Sequence, residues 1–246
     1  MTEPRVRVYR SLEELSIAAA AAIAEELRIA AERSGEATIA LSGGDTPRML
    51  HRLLAQRHET VPWARVHVYW GDERYVPHDD PRSNYRLARD TLLDCVPLTA
   101  AWVHPMPTDA PDPDDAAGAY QRLLEDEFGG LPRFDVMIMG LGEDGHTASL
   151  FPGSPAVDEE LRWVVPAEAT DAPMQRLTMT LPVLRNARAL HFLVVGVEKR
   201  EALVRALAKP SRSCPASLAR PTEGTLTWWV DEAAAGHPAG EGSTQR

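Results

Sequence analysis

The apolar positions change period repeatedly along the chain. Residues 4–9 alternate, with Val6 and Val8 on one side, and predict a strand. Ser11-Leu12-Glu13-Glu14 then spells a capping box, so an Ala-rich helix to about Ser34 is expected next. The exchange recurs as 36–42 (EATIALS) before 47–57, as 65–70 (RVHVYW) before 83–94, and as 134–140 (FDVMIMG) after a helix near 114–128. A strand at 189–196 (ALHFLVVG), a helix at 198–208 and a last strand at 225–230 follow. Strands alternating with helices of this length imply βαβ units, and hence an α/β fold with a doubly wound, mostly parallel sheet covered by helices on both faces.

One domain is expected over 1–235, with a small, polar and disordered tail over 236–246. The Pro- and Asp-rich run 104–115 (HPMPTDAPDPDD) reads as a surface loop, because regular patterns resume directly after it. No apolar run approaches the 18 or so residues of a membrane span. The N-terminus lacks the basic-then-apolar layout of a secretory signal, so a cytoplasmic protein is expected. In that reducing setting Cys95 and Cys214 are expected as free thiols. A formal charge of −10 argues against nucleic acid as a partner. It still allows a small anion held by a few clustered arginines.

In sheets of this kind ligands bind beyond the carboxyl ends of the strands. Three segments fall there: Ser42-Gly43-Gly44-Asp45-Thr46-Pro47, Trp70-Gly71-Asp72-Glu73-Arg74-Tyr75, and Gly140 to His146. The last contains Gly140-x-Gly142-x-x-Gly145, the spelling of a dinucleotide fingerprint. That fingerprint requires a long helix and a second strand after its third glycine. Here Pro152-Gly153-Ser154-Pro155 intervenes, so the nucleotide reading fails. The first segment lacks the Gly-Lys-Ser/Thr ending of a Walker A loop.

Each segment carries a functional and a bland reading. Gly43 and Gly44, with the Ser42 and Thr46 hydroxyls, before a helix starting at Pro47 suit a phosphate at a helix N-terminus; they also suit a tight βα turn. Asp45 complicates the first reading, because a carboxylate repels phosphate unless it turns away. Asp72 and Arg74 either face a ligand or belong to a solvated charge cluster with Asp79, Asp80, Arg82, Ser83 and Asn84. Asp144-Gly145-His146 is either a carboxylate-oriented imidazole suited to general-base work or a turn ahead of a short helix.

Together these stretches resemble the 6-phosphogluconolactonase family, within the glucosamine-6-phosphate deaminase and ribose-5-phosphate isomerase superfamily. The resemblance rests on LSGGDTP at 41–47, WGDERYVPHDDPRSNY at 70–85, GLGEDGHTASLFPGSP at 140–155, QRLTMTLPVLRNAR at 175–188, GVEKREAL at 196–203 and PASL at 215–218. It implies a Rossmann-like fold and hydrolysis of 6-phospho-D-glucono-1,5-lactone with no cofactor and no metal. It further implies His146 as the base that activates water, Asp144 as its orienting partner, and Arg74 as a group that holds the ligand or stabilises the oxyanion. Ser42, Gly43 and Gly44 would cradle the phosphate, with Arg176 and Lys199 as cationic partners and Thr46 and Asp72 completing the site. Asp45 departs from the family wording, where Ser or Thr is commoner.

The sibling deaminases and isomerases differ after residue 147. They carry a glutamate in an AFNEP-like segment, where this chain has Ala148-Ser149-Leu150-Phe151-Pro152-Gly153, and Tyr at the Arg74 position. Both differences favour the lactonase. A non-catalytic sugar-phosphate sensor would retain phosphate contacts and lose the base, whereas His146 is present. Ser149 lacks a G-x-S-x-G elbow, so water is expected as the nucleophile. His51, His58, His78 and His237 read as surface residues, His67 and His191 as strand positions, and His104 as part of the Pro-rich loop, none with a ligand at metal spacing. Trp228-Trp229 reads as packing. The expected partner is a small sugar-phosphate lactone, with neither nucleic acid nor membrane, for a monomer or small homo-oligomer.

Overall fold

In the computed structural model, which describes residues 3–57, 59–169 and 174–236, strand and helix alternate along the chain much as the patterning predicts. The chain opens with β1 (Arg5–Tyr9), α1 (Leu12–Ser34), β2 (Ala37–Leu41), α2 (Asp45–Gln56), β3 (Val66–Trp70), β4 (Asp72–Arg74) and α3 (Asn84–Thr91). It continues with α4 (Pro113–Phe128), β5 (Val136–Gly140), β6 (Val164–Glu168), β7 (Gln175–Met179) and α5 (Leu181–Asn186). It closes with β8 (Ala189–Val194), α6 (Arg200–Leu207), β9 (Thr225–Asp231) and α7 (Glu232–Ala235).

Six strands form one parallel sheet in the order β1-β9-β8-β5-β2-β3. The inner strands β5 and β8 are almost wholly buried, as the unbroken apolar runs of doubly covered parallel strands require. β1, at one edge, is largely exposed. Local signals set the element ends. The Ser11 hydroxyl accepts from the Glu14 amide to start α1, and Gly35, at φ 90°, ends it. Trp228 stacks on Phe192 with centroids 4.0 Å apart, and Trp229 is equally buried, so both pack in the core as expected.

The sheet reverses direction between β2 and β5. From β2 the chain moves out to β3, then returns to lay β5 on the other side of β2. The loops leaving β2 and β5 therefore diverge at their carboxyl ends, which opens a crevice for a ligand there. A second, antiparallel sheet, β4-β7-β6, closes over this end. Gly71 links the two sheets: its N–H donates to Leu41 O at 2.9 Å, and its carbonyl accepts from the Met179 amide at 2.8 Å.

Five expectations change. The segment 72–74 is a strand of this second sheet rather than loop, and β6 and β7 had no counterpart in the predicted elements. Helix α2 starts at Asp45, two residues before Pro47, because Gly44 at φ 104° turns the chain early. The helix predicted over 83–94 ends at Thr91, and a separate 3-10 turn covers Leu93–Cys95. His51 is fully buried rather than on the surface, with Nδ1 3.2 Å from the Thr91 hydroxyl. Burial pushes its pKa down to about 4. Cys95 and Cys214 are free. His58, His237 and the tail beyond Gly236 lie outside the described residues.

Candidate active site

A cleft of about 400 Å³ opens at the crevice between the β2 and β5 loops. Ser42, Gly43, Gly44 and Thr46 line it from the β2 side. Asp72, Arg74 and Arg176 line it from the small sheet, and His146 and Lys199 complete the wall. Of the residues that the resemblance assigns to the site, only Asp144 stands off the cleft surface, behind the imidazole it holds.

The β2 loop presents backbone. Gly43 has no room for a side chain, since a Cβ there would sit 1.7 Å from Asn84 Oδ1. Gly44 is the N-cap of α2 and offers no side-chain cap, so first-turn amides of a twelve-residue helix remain available to an anion. Asp45 borders the same cleft, with its side chain fully exposed and 3.8 Å from Arg48, which offsets part of its charge. Ser42 Oγ is buried at the cleft wall without a hydrogen-bond partner.

The small sheet supplies the cations. Arg74 and Arg176 are opposed partners on β4 and β7, so their side chains leave the same face of the ribbon. Like charges set opposite one another are unfavourable alone and favourable around an anion. Both guanidiniums have a buried Nε without a partner. Burial pulls the Arg176 pKa down, and Arg74 adds to this, while Asp72, 3.8 Å away, opposes it. The Arg176 guanidinium also lies 5.5 Å from the Phe151 ring centre. Lys199 Nζ is 3.6 Å from Glu143 and only partly screened by it.

Glu73 organises this corner from beneath. Its buried carboxylate accepts from the amides of Arg74, Asn84 and Tyr85, each at 2.7 Å, and from the Ser83 hydroxyl at 3.1 Å. Burial raises its pKa, and the three amides pull the other way. Asn84 Nδ2 then donates to the Asp72 carbonyl at 2.8 Å, fixing the strand end against the glycine loop. Asn84 and Glu73 were thus missed as parts of the site. An Asp/Arg-rich stretch reads as a solvated surface when its nonlocal contacts are unknown.

The β5 loop carries the titratable pair. The Asp144 carboxylate accepts from the His146 amide at 3.0 Å and lies 2.6 Å from Nδ1. With the proton on Nδ1, Nε2 keeps its lone pair as the free edge of the ring. Phe151 packs on the imidazole with centroids 4.6 Å apart. Gly142 permits this arrangement, because a Cβ there would lie 2.1 Å from Nδ1 and 2.6 Å from Asp144 Oδ1. Ala148, on the cleft wall, has φ 48°, a left-handed value in which a side chain is strained. Ser149 is buried, and its hydroxyl donates to Asp72 Oδ2 at 2.7 Å rather than to His146.

The family described as "Glucosamine-6-phosphate isomerases/6-phosphogluconolactonase" matches residues 10–228. A 6-phosphogluconolactonase of Synechocystis sp. is 44% identical over 210 residues, covering 83% of this chain and 85% of its own. One of Mycobacterium leprae is 38% identical, with 94% and 96% covered. Among solved structures, a 6-phosphogluconolactonase from Trypanosoma cruzi superposes with TM-score 0.86 at 31% identity, over 96% of this chain and 97% of that one.

Proposed function

The chain belongs to the glucosamine-6-phosphate isomerase and 6-phosphogluconolactonase family, and from that premise we propose that it hydrolyses 6-phospho-D-glucono-1,5-lactone through a base formed by His146 and Asp144. The observation that carries this reading is the Asp144–His146 pair, 2.6 Å apart, on the wall of a cleft that also holds two opposed arginines. His146 Nε2 takes a proton from water as the water oxygen bonds to the lactone carbonyl carbon. The resulting imidazolium is stabilised by Asp144. The carbonyl electrons move onto oxygen, where Arg74 meets the developing charge. Collapse breaks the bond to the ring oxygen, which takes its proton back from His146. The carboxylic acid so formed loses a proton to solvent.

The phosphate lies against Gly43, Gly44 and the first turn of α2, with the Ser42 and Thr46 hydroxyls nearby and Arg176 and Lys199 as counter-charges. Asp72, held by Ser149 and Asn84, sets Arg176 in place and faces the sugar hydroxyls. One positioned base contributes about 10²- to 10⁴-fold and an oxyanion donor about 10²- to 10³-fold. A lactone is already an activated ester, so these groups suffice without a covalent nucleophile.

Residues 1–235 act as one catalytic domain on a diffusible substrate, as a cytoplasmic monomer or small homo-oligomer without nucleic-acid or membrane partners. The charge of −10 supports the absence of a nucleic-acid partner, and no helix among the described residues is long and apolar enough to cross a membrane. The test is proton release from the lactone above its spontaneous rate, run beside ammonia release from glucosamine 6-phosphate. Acceleration of the first alone is expected. Ammonia release would move the chain to the deaminase branch, and binding of 6-phosphogluconate without acceleration would make it a sensor.

A further inference from the structure

Far from the cleft, two imidazoles and a carboxylate converge at the amino end of the edge strand β3. His67 comes from that strand, His104 from the Pro-rich loop and Glu127 from the last turn of α4. We propose that His67 Nδ1, His104 Nε2 and Glu127 form a site for one zinc-class divalent cation, with water as the fourth ligand.

The geometry fits the metal. Tetrahedral zinc with bonds of about 2.0 to 2.2 Å sets neighbouring donor atoms about 3.3 to 3.5 Å apart. Here His67 Nδ1 lies 3.1 Å from His104 Nε2, a ring-to-ring hydrogen bond whose proton a bound ion would displace, and 3.8 Å from Glu127 Oε2, and all three donors fall within 4.8 Å of one another. Relative to that spacing the Glu127 carboxylate must close by up to about 1.4 Å on His104 to complete the arrangement, and the exposed Glu127 side chain is free to rotate that far. Two imidazole nitrogens select a zinc-class ion over magnesium or calcium, which prefer oxygen.

The rings are held in advance. Trp102 stacks on His67 and Tyr69 on His104, each with centroids 4.4 Å apart, and the two imidazole planes lie within 5° of parallel. On its far edge the buried His67 Nε2 has no hydrogen-bond partner among the described residues, with Glu36 Oε2 at 3.3 Å. That is where a metal-bound imidazole places the carboxylate that orients it. The neighbouring part of the loop also holds the segment after Arg74: the Thr108 hydroxyl donates to Val76 O at 2.6 Å, and His78 Nε2 lies 2.9 Å from Met106 O. A bound ion would fasten the loop and α4 to the sheet edge, as a staple remote from the chemistry.

The full chain carrying His146→Ala, which removes the cleft's own imidazole, is titrated with ZnCl₂ by calorimetry and with CoCl₂ by visible absorption. One equivalent of zinc is expected to bind saturably, with a tetrahedral cobalt spectrum and a raised Tm, and MgCl₂ should give none of these. Glu127→Gln and His104→Gln should each weaken zinc by about tenfold or more, and Glu36→Gln by about tenfold. Glu127→Gln replaces an exposed side chain and leaves the fold intact, so the test survives if His104→Gln does not fold. Absence of saturable zinc binding, or binding that Glu127→Gln leaves unchanged, would overturn the proposal.

Discussion

Gly142→Ala tests whether the Asp144–His146 pair must sit where it does. The new methyl would lie 2.1 Å from His146 Nδ1, 2.3 Å from Cε1 and 2.6 Å from Asp144 Oδ1, well inside van der Waals contact. Imidazole and carboxylate must therefore retreat together by about an ångström, and misplacement of that size costs about 10²-fold in rate. This corresponds to about 2.7 kcal/mol of barrier. The phosphate contacts proposed at Gly43 and Gly44 are untouched, so KM should hold. Gly142 is not among the glycines with positive φ, so alanine adds no φ strain there and any fall in stability comes from the side-chain overlap, which the melt reads separately. Initial rates of proton release, corrected for spontaneous hydrolysis, give kcat and KM, and a thermal melt gives Tm. A kcat within about threefold of wild type, with Tm unchanged, would show that the position of the pair does not limit the rate.

Arg176→Ala should chiefly raise KM, by about tenfold or more, because it removes a charge-assisted contact to phosphate; a loss confined to kcat would instead assign Arg176 to the carbonyl. Ser149→Ala should keep kcat within about tenfold, since removing a true serine nucleophile costs far more, up to about 10⁶-fold. Its Tm should fall, because a buried hydrogen bond to Asp72 is lost. His51 gives a pH dependence of stability. Its folded pKa of about 4 lies below the ordinary 6.5, so the unfolded chain binds the extra proton and stability falls as pH drops from 6.5 towards 4. At pH 5 that loss is about 2 kcal/mol relative to neutral pH, and denaturant titrations of wild type and His51→Gln at the two pH values should differ by this amount.

The sequence announces those parts of the site whose chemistry is local. Gly43-Gly44 and Asp144-Gly145-His146 follow apolar strands directly, and the position of a strand's carboxyl end does the rest. What sequence does not announce is pairing across distance. Asp72-Glu73-Arg74 has no apolar alternation, so nothing marks it as a strand until β7 lies opposite it. The opposition of Arg74 and Arg176 across that pair, which concentrates positive charge in the cleft, is invisible for the same reason. Glu73 reads as one more surface acid, although four donors converge on it. His51 shows the reverse error: a histidine among arginines on a helix reads as exposed, yet it faces α3. His67 and His104 are 37 positions apart and meet at 3.1 Å only through the fold.

The proposed mechanism rests on His146, oriented by Asp144, as the base. Its most direct measurement is kcat for lactone hydrolysis by His146→Ala, with binding of 6-phosphogluconate measured in parallel. A kcat lower by about 10²-fold or more is expected, with product affinity retained. A fully active His146→Ala would contradict it.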